Sequence, residues 1–149
     1  MDTSDSITYE ITKTGNILRK LVMKRLQAIG VDLSPEESVL MNRLWDKSEM
    51  ALSELAEWSV KEPSTLSRQV DGLVRKGYIN RRESSLDRRS QLVSVSDKGW
   101  EIRNQFLKAE LHLIDGALVS LSERDRKTVL RSLKLIRENA LDEICRAKQ

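Results

Sequence analysis

The stretch from Pro63 to Gly77 constrains the fold of this chain more than any other. Proline suits a first helical position, where its missing N–H is not needed. Glycine just after Arg75-Lys76 supplies a left-handed stop, with two cations meeting the negative end of the helix dipole. Between them Leu66, Val70, Leu73 and Val74 recur at helical spacing, while Ser64, Thr65, Ser67, Arg68 and Gln69 fall on the other side. The stretch therefore predicts a short helix with an apolar back and a polar N-terminal half. Gly72 interrupts it at a cost of roughly 1 kcal/mol against alanine, which marks a pliable point. Tyr78–Arg82 and Gln91–Val95 follow as short strands, and the polar segment Glu83–Ser90 between them carries Asp87-Arg88-Arg89 near its end. That pattern reads as an antiparallel hairpin with a long tip.

The flanks are helical. Ile7, Ile11, Leu18, Leu21, Val22, Leu26 and Ile29 share one face of a first helix from about Ser6 to Ala28, with Gly30 as its stop. Ser34-Pro35-Glu36-Glu37 is a strong start signal: Ser34 caps the amide of Glu37, and Glu37 reaches back to the cap. The helix it opens carries Val39, Leu40, Leu44 and Trp45. A short helix spans Ser53 to about Ser59, and Met50-Ala51-Leu52 is placed to add a strand. Ser96 caps a helix expected to run through Leu121 with Leu107, Leu111, Ile114, Leu118 and Leu121 as its stripe. Ser122 opens the last helix, striped by Val129, Leu133, Ile136, Ala140 and Ile144. The expected fold is mainly α (α+β): a winged helix-turn-helix with a small antiparallel wing sheet between long N- and C-terminal helices.

Charge is informative through its placement. The formal net charge is +3, and residues 63–90 hold seven cations (Arg68, Arg75, Lys76, Arg81, Arg82, Arg88, Arg89) against Asp71, Glu83 and Asp87. That segment nets +4, so the rest of the chain nets −1. A basic patch on a near-neutral body is the footprint of a polyanion-binding surface. Enzyme chemistry lacks support: there is no phosphate-binding glycine loop, no His-Glu-x-x-His, and His112 stands alone as the one histidine. Cys145 is the single cysteine, which excludes an internal disulfide and any multi-cysteine metal site; no metal is expected. A redox role for Cys145 has no resolving cysteine to support it. The polar start Met1-Asp2-Thr3-Ser4 is no signal peptide, and no apolar run reaches the ~18 residues of a membrane span, so the expected compartment is cytoplasmic, with no membrane partner.

A helix followed by a basic hairpin has a direct use on duplex DNA. The helix diameter matches the major groove, and its N-terminal half meets base edges. Hydroxyls of Ser64, Thr65 and Ser67 take bases or phosphates, Arg68 forks onto guanine, Gln69 onto adenine, and the helix start at Pro63 attracts a phosphate. Arg88 and Arg89 at the hairpin tip suit the minor groove, and Asp87 is expected to pair with Arg89 and fix its direction. Arg81 and Arg82 alternate across their strand, so at most one of them faces DNA. The rival reading is a helical protein-interaction adaptor, which would have no use for a basic wing.

The run from Leu52 to Gly99 resembles the MarR family of bacterial transcription regulators. The resemblance is carried by Leu52-Ser53-Glu54-Leu55-Ala56, Ser64–Leu73, Lys76-Gly77-Tyr78-Ile79, Asp87-Arg88-Arg89 and Val95-Ser96-Asp97-Lys98-Gly99. Ser96 stands where the family usually has threonine. The resemblance implies a single domain over residues 1–149, with a winged-helix lobe at 35–99 and helical dimerisation regions at 1–33 and 100–147. It also implies a homodimer on a pseudo-palindromic double-stranded operator, acting as a repressor without a cofactor. A small aromatic acid is the implied effector, in a cleft that Trp45 or Trp100 would line. From the residues alone, Trp45, Trp58 and Trp100 read as core or interface anchors ahead of ligand platforms.

Overall fold

The computed structural model describes residues 5–87 and 89–148, without the side chains of residues 110, 113 and 114. Its elements are α1 (Ile7–Ala28), α2 (Pro35–Lys47), β1 (Glu49–Ala51), α3 (Leu52–Ser59), α4 (Pro63–Arg75), β2 (Ile79–Glu83), β3 (Gln91–Val95), α5 (Asp97–Ala117) and α6 (Glu123–Ala147). The chain divides into two compact units, Met1–Glu110 and Leu111–Gln149. Among the described residues no helix is long and apolar enough to cross a membrane.

Local signals set most boundaries in the first unit. The Ser34 capping box forms as its residues dictate: Ser34 Oγ accepts from the Glu37 amide at 3.1 Å, and a Glu37 carboxylate oxygen accepts from the Ser34 amide at 3.0 Å. Helix α4 ends in a Schellman turn, with Gly77 at φ +80°. The Tyr78 amide reaches the Leu73 carbonyl and the Gly77 amide reaches that of Val74. Helix α1 closes the same way at Gly30.

The sheet is antiparallel in the order β1-β3-β2, with Met50 and Arg81 both opposite Val93. The core beneath it gathers Leu40, Met41 and Leu44 of α2, Leu55 of α3, Leu66, Val70 and Leu73 of α4, and Ile79 and Val93 of the sheet. Removing any of these leucines to alanine falls in the range of 2–5 kcal/mol.

Several expectations are corrected. Of the α1 stripe, Leu26 is buried in this core, while Ile7 and Ile29 are exposed. Leu52 begins α3 and does not extend β1. Val39 and Val74 are exposed, while Met41 takes a core position. Gly72 has a tertiary neighbour that the local pattern does not announce. It is buried, and a methyl there would stand 3.2 Å from Oε1 of Glu37, so a side-chain carboxylate occupies the space.

In the second unit α6 is capped by Ser122, whose hydroxyl accepts from the Asp125 amide at 3.1 Å, and none of its described residues is buried. Helix α5 stops at Ala117, short of Leu121, because the chain turns through 118–121. Arg126 holds that turn, donating to the carbonyls of Leu118 at 2.8 Å and Leu121 at 3.2 Å. The leucine spacing runs on through the turn and so overstates the helix.

Candidate nucleic-acid interface

Helix α4 presents its N-terminal half much as the pattern of residues requires. Pro63 is its first residue, and the N-cap, Glu62, makes no side-chain cap bond. The first amides are thus left without a capping side chain, which is the arrangement that receives a phosphate. Ser64 and Arg68 are exposed, and Thr65 and Ser67 are half-buried beside them. Gln69 is turned further in: its Oε1 is buried without a hydrogen-bond partner among the described residues. An adenine-reading role for Gln69 would need that side chain to swing out.

The sheet register sorts the two strand arginines. Arg81 lies in the row of Met50 and Val93, whose side chains face the helices, and there it donates to Asp71 of α4 at 2.6 Å and to Gln91. Arg82 points the other way and forms a two-pronged contact with Glu49 of β1, at 2.9 and 3.0 Å. Both cations are committed to carboxylates of the same lobe. Sequence reasoning missed these partners, because Asp71 and Glu49 meet the strand only after the sheet has formed.

The wing tip is organised by Asp87, though not in the way expected. Its Oδ1 accepts from the backbone amide of Arg89 at 2.9 Å, and its carbonyl accepts from the Ser90 amide at 3.0 Å. No Asp87–Arg89 ion pair is present among the described residues. Asp87 therefore shapes the turn that carries Arg89 and leaves its guanidinium unclaimed. Arg88 lies outside the described residues. Arg89 and Ser90 line a groove of about 490 Å³ together with Pro63 and Ser67 of α4 and Ser53 of α3. The structure thus brings the wing arginine and the N-terminal half of α4 to one surface. Leu86, 97% exposed at the tip, is a further candidate that the polar loop composition hid.

The end of α4 is riveted to the start of α5. Ser96 Oγ accepts from the Gly99 amide at 3.0 Å and donates to the Gly77 carbonyl, the Ser96 amide donates to the Tyr78 carbonyl at 3.0 Å, and Lys98 Nζ donates to the Lys76 carbonyl at 2.8 Å. Trp45 closes the same junction, its Nε1 donating to the Gly99 carbonyl at 3.0 Å and its ring 5.1 Å from that of Phe106. Trp45 is therefore a buried core residue. Trp100 is partly exposed, with Arg103 over its ring. Neither borders the cavity of about 440 Å³ that opens among Met23, Val31, Leu33 and Lys76.

Residues 33–91 match the family model described as "MarR family". This lobe is similar to the MarR-family domain. Among relatives, the HTH-type transcriptional repressor YetL of Bacillus subtilis is 26% identical over 106 residues. That match takes in 70% of this chain and 64% of YetL, so the chain spans slightly under two thirds of that relative's length. The MarR-family fold extends beyond the matched segment. A MarR-family transcriptional regulator from Streptomyces coelicolor, solved in complex with DNA, superposes with a TM-score of 0.79 at 18% identity, covering 89% of this chain and 85% of that one. An organohalide-sensing transcriptional regulator in its 2,4-dichlorophenol-bound form gives 0.83 at 18% identity, covering 95% and 83%. These relatives are regulators of transcription.

Proposed function

We propose that this MarR-type protein is a sequence-specific, double-stranded DNA-binding transcriptional regulator that acts as a homodimeric repressor. The observation that carries the reading is the shared surface of α4 and the wing. Exposed Ser64 and Arg68 sit beside a helix start without a side-chain cap, and Arg89 borders the same groove as Ser67. The solved relative in complex with DNA supports the DNA-binding function.

The labour divides between the two elements. Arg68→Ala removes a base-edge contact, so it is expected to cost on the order of 1–3 kcal/mol and to relax preference at one position of each half-site. Arg89→Ala removes a groove contact. It is expected to weaken all duplexes alike and to lower the salt slope by about 0.9 for each arginine lost. Asp87→Ala should give a milder form of the Arg89 defect, because the turn loosens while the guanidinium remains. Selecting bound fragments from genomic DNA and repeating the selection with each variant measures both effects. An Arg89→Ala protein with unchanged affinity would remove the wing from the interface.

Dimerisation follows from apolar surface that the single chain leaves open. Ile7 and Ile17 on α1, and Val129, Leu130, Leu135 and Ile144 on α6, are each 45% exposed or more. Stripes of this kind mark association surfaces. A two-fold pair of lobes matches a pseudo-palindromic operator with half-sites about one helical turn apart. Sedimentation at micromolar concentration is expected to give twice the chain mass, and a stable monomer would refute the reading. A small aromatic acid or phenol is the ligand class proposed to modulate binding. The dichlorophenol-bound relative supports that class.

A further inference from the structure

One buried carboxylate joins the first turn of α2 to the last turn of α4. Glu37 is 8% exposed. Its Oε2 accepts from the Ser34 amide at 3.0 Å and from Lys76 Nζ at 2.7 Å. Its Oε1 fills the space that a side chain at position 72 would need. Asp32 stands 3.3 Å from the same ammonium, but its carboxylate is 79% exposed and easily hydrated. Glu37 thus touches α4 at both Gly72 and Lys76 while the capping box holds it on α2. Burial alone would lower the pKa of Lys76. The hydrogen bond and charge of Glu37, with a share from Asp32, outweigh that and hold it above the ordinary lysine value.

We propose that Glu37 is a positioning residue for DNA recognition, its ion pair with Lys76 fixing the direction in which α4 presents Ser64 and Arg68. The inference rests on the DNA-binding function proposed above. Ser64 lies about 12 Å along the axis from Gly72 at 1.5 Å per residue, so a tilt of roughly 10° at the Glu37 contact displaces it by about 2 Å. A hydrogen bond to a base edge tolerates only a few tenths of an ångström. A small change at this pair is therefore sufficient to break base-edge contacts made well away from it, without unfolding the lobe.

A purely electrostatic role predicts the opposite outcome. Glu37→Gln keeps the shape and an acceptor for the Ser34 amide but deletes a negative charge near the DNA-facing lobe, which by Coulomb's law alone would tighten every duplex. The positioning role predicts that Glu37→Gln weakens operator binding about tenfold, roughly one hydrogen bond lost in each half-site, and leaves unrelated duplex within about twofold. Lys76→Met should do the same without changing the salt slope, and the double variant should be no worse than either single one, because the two residues act as a unit. Lys76→Arg should restore part of the loss. Gly72→Ala keeps both charges but presses on the carboxylate, and it should reproduce the operator defect if Glu37→Gln fails to fold. Operator and non-specific affinities, with circular dichroism as a check on folding, decide the matter. A folded Glu37→Gln protein that binds its operator as tightly as the parent, or more tightly, overturns the proposal. A parent protein that binds no duplex at all would overturn the DNA-binding function itself.

Discussion

Raising salt from 50 to 200 mM is expected to weaken operator binding by two to three orders of magnitude, with a log–log slope between about −3.6 and about −5.4. The bounds come from asking which cations are available to phosphate. The basic segment holds seven, and if every one met DNA in a dimer the slope would approach about −12.6 at 0.9 per contact. The structure removes most of them. Arg81 is bound to Asp71, Arg82 to Glu49 and Lys76 to Glu37, while Arg75 sits in the last turn of α4, away from its N-terminal half. Arg68 and Arg89 remain from each protomer and set the lower bound; adding Arg88 gives the upper one. Titration of a fluorescent operator at several salt concentrations measures the slope directly. A value near zero would deny a phosphate-dominated interface, and a value beyond about −9 would mean that the internal ion pairs open on binding.

The second large effect is on stability. Gly99→Ala is expected to cost about 3 kcal/mol or more, at the upper end of what overpacking costs, and to lower Tm by about 6–12 °C. A methyl at position 99 would stand 2.1 Å from the Tyr78 carbonyl oxygen and 2.8 Å from Cγ1 of Val95. The first of these is backbone and already accepts the Ser96 amide, so no rotamer change relieves it. Relief requires separating α5 from the end of α4, and that would strain the Trp45 hydrogen bond to the Gly99 carbonyl as well. Gly15→Ala is the matched control. Position 15 has open space around it in the middle of α1, so alanine there should stabilise by up to about 1 kcal/mol. Thermal unfolding of the two variants should move in opposite directions. A Gly99→Ala protein within about 0.5 kcal/mol of the parent would show that the junction yields easily.

Gly99 also illustrates what could and could not be read from the residues alone. The capping box at Ser34, the stop at Gly77 and the cap at Ser96 are contacts between residues within a few positions of one another. Their geometry is fixed by the local chain, and they form as expected. The reasons for Gly72 and Gly99 lie in tertiary neighbours, Glu37 and Tyr78, which no local pattern announces. The wing shows the same division. Its strands were legible from alternation, but Asp87 serves the Arg89 backbone and not its guanidinium, and only the turn geometry decides between those two acceptor roles. Trp45 was read as a core or interface anchor ahead of a cleft residue, and its burial and its bond to the Gly99 carbonyl agree with that reading. The end of α5 was misplaced because leucine spacing records which face is apolar, not where the backbone turns.

On the DNA-binding function proposed above, the two ion pairs of β2 have a consequence for the grammar of the operator. Asp71 ties the strand to α4 on one face and Glu49 ties it to β1 on the other, so both pairs oppose sliding of the wing along α4. Helix and wing print as a single stamp. Inserting one base pair between the step read by α4 and the step met by the wing shifts the second by about 3.4 Å and turns it by about 35° around the duplex. A flexible wing would follow that displacement and forfeit little. With a stamped pair the half-site is one indivisible word, in which an inserted letter silences both contacts together while a substituted letter dims only one.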